Sequence, residues 1–481
     1  MYKTRKPTGQ GVLFSTLADT LNQQHPLYRL ANRIDWHRFE EAFGPLYSDK
    51  GCPAKPIRRM VGLLILKHVR NVSDESVVEQ WQENLYYQYF CGEEVFCPGA
   101  PCAASELVHF RHRIGEHGVE LILAESIRVN DDTDHPDHPG RGRRADHEQT
   151  AFIDSTVQEK NVTFPTDSKQ LNKIIKWCWK IAKEEGITLR QTYAREVKGL
   201  KRIQRFRGKS HSKKKVRRAD SRMRTIAGRL TRELLRTLPS DNRHIEKLDI
   251  FLKFINGELY DGHKIYSLHE PDTLCIAKGK EKVKYEFGNK ISIIRRWDGL
   301  IIGAMSFRNP YDGHTIEPAM EQVGRIYHRP IKLLGGDRGY RGVDKVGNTK
   351  VIIPDVPKKD DSAYQRGKKH KIFCKRAGIE PVIGHCKADH RLSRNFYKGL
   401  FGDSINVMLA AAAFNFKRAM RLLFVLFQRC RSLCIVAIIS IKVLIQAIRD
   451  TNLRQEHKTS LVSVPSLPMV NFSWNRFLRA D

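Results

Sequence analysis

Residues 151–156 read AFIDST and residues 331–340 read IKLLGGDRGY, and these two stretches decide the fold. Each is a short apolar run that ends in an aspartate, Asp154 in the first and Asp337 in the second. Short apolar runs bounded by turn residues are typical of buried strands. The sequence therefore predicts two strands of an α/β domain, each with a carboxylate at the strand end.

A third acidic residue, Glu380, is predicted to open a helix. Pro381 is tolerated only in a first helical turn, which places the helix start near residues 377–378. Lys387 follows Glu380 by about two turns and therefore lies on the same face of the helix. Arg376 precedes Glu380 by about one turn, where it can pair with that carboxylate or with a phosphate.

Two carboxylates at strand ends and a third at a helix start can converge on one point. Hard divalent cations prefer oxygen ligands, and a pair of such ions stabilises both the attacking and the leaving oxygen in phosphoryl transfer. Taken singly, each acid is more often a turn former or a helix cap, so the prediction depends on the three together. It is a nuclease or strand-transfer site that holds two Mg²⁺ ions, or Mn²⁺ as a substitute, through Asp154, Asp337 and Glu380.

Residues 373–387 carry a spaced pattern, Phe373-x2-Arg376-x3-Glu380-x6-Lys387. It resembles the Tyr-x2-Arg-x3-Glu-x6-Lys pattern of DDE-superfamily insertion-sequence transposases, in particular the insertion-sequence-five-like group, and departs from it at Phe373. The segments around Asp154 and Asp337 are similar to that family's two aspartate motifs. The resemblance begins at Ile34 and fades in the C-terminal tail.

The resemblance implies an RNase H-like catalytic domain, a mixed central sheet flanked by helices, with the three acids as catalytic residues. It implies binding to terminal inverted repeats, cleavage at the ends of the element, and joining of the 3′-hydroxyl ends to target DNA. Arg376 and Lys387 are then expected to contact DNA, whereas Phe373 lacks the hydroxyl of the family's tyrosine and can only stack on a base. The implied partners are double-stranded DNA and a second copy of the chain in a synaptic complex.

The composition favours a polyanionic partner independently of any motif. The chain has 84 lysines and arginines against 53 aspartates and glutamates, a formal net charge of +31. A field of this sign and size favours nucleic acid over a membrane surface or mere solubility. The hydrophobic content of 41% is enough for a packed core, which argues against disorder throughout.

The cysteines and the apolar segments predict a cytoplasmic protein without a membrane span. The ten cysteines have no regular spacing, and residues 1–8 lack the apolar core of a signal peptide. The apolar run at 433–441 is much shorter than the roughly 20 residues that cross a bilayer. We interpret it as a buried terminal helix, with a self-association surface as the alternative.

Four regions are predicted along the chain. A helical DNA-binding domain occupies residues 1–128, a polar linker follows at 129–150, and a helical tail occupies 421–481. The catalytic domain spans 151–420 and is interrupted by a basic helical insertion at about 166–282. Within this domain, a β-hairpin around Asp298-Gly299, an amphipathic helix and a further strand precede the Glu380 helix.

Two groups of basic residues are candidate DNA contacts. Short N-terminal helices that carry arginines are able to dock on DNA as helix-turn-helix modules do. The alternative is a helical cap with solvated arginines. In the insertion, basic residues on an ordered helix are expected to follow phosphates without reading bases. The candidates are Arg58, Arg59, Arg111 and Arg113 in the first group, and Lys213, Lys214, Lys215, Arg217 and Arg218 in the second.

Other polar residues are given weaker functional interpretations. His314 is interpreted as a helix-start or core histidine, with substrate contact as the alternative. Asp298, Asp312 and Asp344 lack the setting of the three candidate ligands and are not assigned to the site. Two rival functions stay open at this point: a DNA-binding protein without catalysis, and a structure-specific nuclease of the same fold.

Overall fold

The computed structural model describes residues 16–48, 50–133, 149–208, 213–277, 284–308, 310–353 and 362–422. Apart from residues 421–422, the predicted C-terminal tail and its apolar run at 433–441 lie outside the described residues.

The N-terminal region is helical, as the sequence predicts. Ser73 caps one of its helices by accepting a hydrogen bond from the Ser76 amide at 3.1 Å. The last helix of the region is broken at Gly115, whose φ of +65° suits a residue without a side chain. The helices are α1 (Leu17–Thr20), α2 (Pro26–Arg33), α3 (Trp36–Phe43), α4 (Ile57–Val69), α5 (Asp74–Glu83), α6 (Leu85–Phe90) and α7 (Ala104–Thr133).

The predicted linker at 129–150 begins too early, because α7 continues to Thr133. Asn130 is fully buried, and its amide donates to the carbonyl of Asn415 at 2.9 Å. Asp131 forms an ion pair with Arg296 at 2.7 Å. These polar residues therefore belong to the packed protein, and their partners are distant in sequence. Residues 134–148 of the predicted linker lie outside the described residues.

The sheet is mixed, and its strands follow the order β2-β3-β1-β5-β7-β6, with β4 paired to β3 and β8 paired to β1. β1 runs antiparallel to β3 and parallel to β5, and β5 runs parallel to β7. The predicted hairpin is present as β3 and β4. The strands are β1 (Thr150–Lys160), β2 (Leu274–Ala277), β3 (Tyr285–Arg296), β4 (Ile301–Phe307), β5 (Leu333–Gly335), β6 (Lys345–Val346), β7 (Thr349–Ile352) and β8 (Arg394–Asn395).

The basic insertion is helical and has its own apolar core, formed by residues such as Ile174, Leu230 and Phe251. The prediction extended the insertion to about residue 282, but β2 lies within that range and pairs with β3 as part of the sheet. The helices of the insertion are α8 (Asp167–Glu184), α9 (Ala194–Gln204), α10 (Lys213–Thr237) and α11 (Ile245–Asn256).

The remaining helices flank the sheet, so the fold is the predicted mixed α/β arrangement. They are α12 (Ile316–Ile326), α13 (Ala363–Ala377), α14 (Ile379–Asp389) and α15 (Gly399–Leu422). Among the described residues, α15 is the one helix long and apolar enough to cross a membrane by length and composition. Most of it is buried in the core that the sheet shares with the N-terminal helices, as expected of the core helix of a soluble protein.

A buried polar network fixes the end of β1 against α15. Lys160, only 1% exposed, lies 2.9 Å from Asp403 and 3.2 Å from Glu270. The Asn289 amide from β3 donates to the same Asp403 carboxylate at 2.6 Å. A buried charge is tolerated when it is paired and hydrogen-bonded in this way. The network holds the strand that carries Asp154.

Candidate active site

Asp154 and Asp337 lie side by side because of the register between β1 and β5. Phe152 pairs with Gly335, and each aspartate follows two residues later. The prediction that Asp154 ends its strand is wrong, since β1 continues to Lys160. β8 pairs only with Glu159 and Lys160, so among the described strands the edge of β1 at 153–158 has no neighbour on this side. The two carboxylates therefore flank a notch in the sheet.

Glu380 reaches the notch from α14. Gly378 separates α13 from α14, which agrees with the predicted helix start, and it places Phe373 and Arg376 on the preceding helix. Arg295 of β3 donates to the carbonyl of Lys375, and a Cβ added at Gly378 would lie 2.6 Å from its guanidinium. Arg295 thus fixes the joint between the two helices against the sheet, a role that the sequence pattern did not indicate.

Arg376 links the first and third acids. Its Nη1 lies 4.0 Å from Asp154 Oδ2, and its Nη2 lies 3.7 Å from Glu380 Oε1. The side chain is only 16% exposed, and Nη1 is buried without a hydrogen-bond partner among the described residues. A buried donor without a partner costs free energy, so a hydrogen bond from Nη1 to an anionic oxygen would be favourable.

The electrostatics of Asp154 reflect the proximity of the three acids. Burial raises the pKa of Asp154 to about 6, and although Arg376 opposes this shift, the charges of Asp337 and Glu380 add to it. Crowded carboxylates and a low-dielectric setting both disfavour ionisation. Strongly shifted pKa values in a cleft are typical of functional sites.

The donor set fits a hard divalent cation, although the third ligand is not in place. One oxygen of Asp154 accepts from the Ser155 amide at 2.8 Å, and one oxygen of Asp337 accepts from the Gly339 amide at 2.8 Å. The second oxygen of each carboxylate remains for a ligand, and oxygens are the donors that Mg²⁺ prefers. Glu380 is 70% exposed and lies against Arg376. Within the described residues no three acidic, histidine or cysteine side chains are close enough to hold one metal ion.

Lys387 lies along the same notch. Its Nζ donates to Thr156 Oγ1 at 2.9 Å, and Thr156 shares a face of β1 with Asp154 because it is two residues further on. Glu380 and Lys387 therefore face the same strand, as their spacing predicts. Phe373 is half-buried on α13.

A fourth acid, Asp312, lies beside Asp337, although its setting in the sequence did not indicate a place in the site. A Cβ added at Gly339 would lie 2.8 Å from Asp312 Oδ2 and 3.0 Å from Asp337 Oδ1, so these two oxygens are no more than about 6 Å apart. The charges of Asp312, Asp154 and Asp337 all raise the pKa of the Tyr340 hydroxyl, which burial raises most. The only sequence signal was a turn-like Tyr-Asp-Gly-His stretch. His314 of this stretch is exposed and packs edge-on against Tyr311.

Three of the four N-terminal arginines serve packing, which corrects their assignment as DNA contacts. Arg58 donates to the Tyr89 carbonyl at 3.1 Å, Arg59 donates to Glu93 at 2.9 Å, and Arg111 is buried. Arg111 makes two hydrogen bonds, of 2.8 and 2.9 Å, to Asp74. A guanidinium held by such internal partners is not available to a phosphate. These partners are distant enough in sequence that the motif alone did not reveal them.

The other candidate contacts are accessible. Arg113 is exposed, and its guanidinium lies 4.2 Å from the centre of the Tyr47 ring. Val216 and Ala219 at the start of α10 are buried, whereas the candidate basic residues of the same turns are all exposed. These basic residues are Lys213, Lys214, Lys215, Arg217 and Arg218. The helix therefore presents its charges on one face and packs by the other.

Comparison with known proteins places this chain in a family. Residues 15–113 match a family model described as "Transposase domain (DUF772)", which covers α1 to α6 and the beginning of α7. A protein of Rhizobium meliloti, "Uncharacterized protein ORF8 in nfe locus", is 42% identical over 199 residues. The aligned part is 93% of that protein and 41% of this chain. The chain belongs to the same family as the rhizobial protein.

The name of this relative assigns no activity, so the functional indication comes from the matched transposase domain, which points to a transposase role. No solved structure matches the chain.

Proposed function

We propose that this protein is the DDE transposase of an insertion sequence, in which Asp154, Asp337 and Glu380 are the catalytic carboxylates. The observation that carries the proposal is that Asp337 and Glu380 lie close enough to the buried Asp154 for their charges to raise its pKa, with Arg376 between Asp154 and Glu380. They come from segments that are far apart in sequence, so a turn or a helix cap accounts for none of the convergence. The transposase domain at residues 15–113 supports the same reading.

The topology is compatible with an RNase H-like domain. In the order β4-β3-β1-β5-β7, an antiparallel hairpin lies on one side of β1 and two parallel strands lie on the other. Helices α12, α13 and α14 lie among and after these strands, as the resemblance implies. The acids lie where β5 ends beside the continuing β1, and ligands of mixed sheets commonly bind at such carboxyl ends.

The residues of the notch divide the chemistry among themselves. Asp154 and Asp337 are held in place by backbone amides and offer their remaining oxygens to Mg²⁺. A divalent cation held by these carboxylates would supply a lowered pKa for the attacking water or hydroxyl and would neutralise charge on the leaving oxygen. Arg376, whose Nη1 has no hydrogen-bond partner within the described part of the chain, binds a phosphate oxygen, which would release Glu380 to act as the third carboxylate.

DNA binding beyond the notch is assigned to the exposed basic faces. The charged face of α10 follows the phosphates of a duplex, and Arg113 and Lys387 add contacts nearer the N-terminal helices and the acids. Phosphate contacts of this kind position a duplex but do not specify its sequence. The proposal includes terminal inverted repeats and target DNA as partners, a homodimer for synapsis, and a cytoplasmic protein.

The decisive experiment compares the wild type with Asp337→Asn on a duplex that carries the DNA flanking the coding region. In Mg²⁺ buffer we expect the wild type to cleave, and the variant to lose cleavage by at least about a hundredfold while it binds DNA equally well. The matched control is Asp344→Asn, a nearby exposed aspartate, which should cleave normally. Undiminished cleavage by Asp337→Asn refutes the assignment.

The same experiment separates the rival functions. DNA binding without metal-dependent cleavage by the wild type would indicate a binding protein that has no catalytic activity. If cleavage occurs, pre-cleaved ends are supplied with a supercoiled target plasmid. A transposase joins them to the plasmid, whereas a nuclease of the same fold leaves them unjoined.

A further inference from the structure

A cavity of about 580 Å³ lies between the N-terminal helices and the chain that follows α14, away from the three acids. Residues of α4, α5 and α7 form one side, and residues 391–405 form the other. Three aromatic side chains line it, together with cationic side chains. Neither the transposase match nor the proposed chemistry assigns a role to this cavity.

One aromatic side chain of the lining is well exposed. Phe396 is 57% exposed, and the guanidinium carbon of Arg391 lies 5.4 Å from the centre of its ring. The His112 ring stacks on Phe401 with a centroid distance of 4.8 Å and an interplanar angle of 17°. An exposed ring beside a cation is suited to stacking with a flat, electron-rich group, and nucleobases are such groups.

The lining also carries an excess of positive charge. At its floor Asp74 is shared between Lys67, at 2.8 Å, and Arg111, at 2.8 Å. Both cations also lie against the Tyr397 ring, at 4.5 and 4.3 Å from its centre. The Tyr397 hydroxyl is buried and has no hydrogen-bond partner among the described residues. The lining as a whole therefore carries Lys67, Arg111, Arg391 and Lys398 against two acids, Asp74 and Glu75.

The rim adds two cations that the described part of the chain leaves without a carboxylate partner. Neither Arg391 nor Lys398 forms a salt bridge within the described residues, and the acids of the lining are Glu75 and Asp74, of which Asp74 is already paired with Lys67 and Arg111. The backbone of Arg391 adopts a left-handed conformation, with φ of +64°, which costs free energy in a residue other than glycine. Charge and shape together therefore favour a ligand that has one flat ring and one anionic group.

The cavity is positioned to receive part of the DNA that reaches the acids. Glu380 is at the start of α14 and Arg391 lies just beyond its end, and a helix of 11 residues is about 16 Å long. Lys387 lies between them on the same helix. At about 3.4 Å per nucleotide along one strand, this span corresponds to about five nucleotides.

We propose that this cavity binds one unstacked nucleotide of a DNA strand, with the base on Phe396 and its phosphate between Arg391 and Lys398. The site lies about five nucleotides from the bond that the acids would cleave. The inference rests on the proposed function in taking DNA as the ligand, but it does not depend on cleavage.

The test measures DNA binding by the full chain in EDTA. The probe is a duplex with a single unpaired 2-aminopurine, and the reference is the same duplex with that base paired. We expect the wild type to bind the unpaired probe more tightly and to quench its fluorescence by stacking. Phe396→Ala should lose the quenching and about tenfold of affinity for the unpaired probe only. Arg391→Gln should reduce the slope of log affinity against log salt concentration by about the amount expected for one lost phosphate contact.

The matched control is Phe164→Ala, which removes a phenylalanine of similar exposure, 62%, from outside the cavity. It should bind and quench as the wild type does. Unchanged binding and quenching by Phe396→Ala overturn the proposal, and so does an equal loss on paired and unpaired DNA, which would mark a duplex contact. Because EDTA suppresses cleavage, the binding test does not depend on catalysis. The proposed nucleotide site can therefore be supported even if the Asp337→Asn test refutes the catalytic assignment, and it can be refuted even if that assignment holds.

Discussion

Replacing Asp154 with asparagine is expected to stabilise the protein while it removes a proposed catalytic carboxylate. Burial raises the pKa of Asp154 from its ordinary value of 3.8 to about 6, with Arg376 opposing and Asp337 and Glu380 contributing. At neutral pH the folded protein therefore holds an ionised carboxylate in a setting that disfavours ionisation. Asparagine has a similar shape and carries no charge, so the variant is relieved of this cost.

The magnitude follows from the pKa difference between the folded and unfolded states. An increase of about two pKa units lowers the free energy of unfolding of the ionised protein by about 3 kcal/mol, since each pKa unit corresponds to about 1.4 kcal/mol. The unfolded chain binds fewer protons than the folded chain between the two pKa values, so wild-type stability falls as pH rises through that window. The advantage of Asp154→Asn should be about 3 kcal/mol at pH 8, about half that near pH 5, and negligible below both pKa values.

The assay is thermal unfolding of both proteins at several pH values, in EDTA and then in Mg²⁺. In EDTA at pH 8 the variant should unfold several degrees higher than the wild type. Mg²⁺ should narrow the gap, because a cation that binds only the folded wild type stabilises it. Cleavage by the variant should be lost.

Asp298→Asn is a control with the opposite sign. Although burial opposes it, hydrogen bonds and charge from Arg296 hold the pKa of Asp298 well below its usual range. That variant should therefore be less stable than the wild type at pH 8. If Asp154→Asn melts at the same temperature as the wild type at pH 8, or below it, the view of Asp154 as a strained ionised carboxylate is refuted.

Three further variants test the acid beside Asp337, the buried ion pairs of the N-terminal helices, and the basic face of α10. Asp312→Asn should weaken Mg²⁺ binding, measured by calorimetry, by severalfold, because the acid beside Asp337 adds to the local negative charge; unchanged affinity would exclude that role. Asp74→Asn should cost about 3–5 kcal/mol of stability in denaturant unfolding, because it leaves buried Lys67 and Arg111 without their shared partner; a loss below 1 kcal/mol would contradict this. Alanine at Lys213, Lys214 and Lys215 should reduce the salt dependence of DNA binding by up to about three phosphate contacts without changing sequence preference; an unchanged slope would assign these charges to solvent.

Much of the fold could be predicted because it depends on local patterns. The apolar alternation of β3 and β4 and the turn at Asp298-Gly299 identify the hairpin, since both signals lie within a few residues. Pro381 limits the start of α14 for the same kind of reason. The predicted ends of β1 and α7 are wrong, because the contacts that extend β1 come from β3 and β8 and those that extend α7 come from α15, all far along the chain.

The candidate site likewise combines features that the sequence predicts with features that depend on packing. The sequence was enough to identify the main candidates of the site, because metal binding and phosphate binding require particular side chains at particular spacings along a helix or strand. These candidates are Asp154, Asp337, Arg376, Glu380 and Lys387. The sequence could not predict which arginines are accessible to DNA. Arg111 and Arg113 are two residues apart on one helix, yet Asp74 binds the first and the second remains exposed.

The amino-acid order by itself determined the chemical inventory of this protein: three carboxylates in suitable local settings, a helix start that presents one of them, and a large positive charge. Which of these groups meet depends on the packing of distant segments. This packing placed Asp312 beside Asp337, set Arg376 between two acids, and brought Phe396 and Arg391 together in the lining of a separate cavity. The physical reason is that electrostatic and stacking energies depend on distances through space, which packing fixes and sequence separation does not.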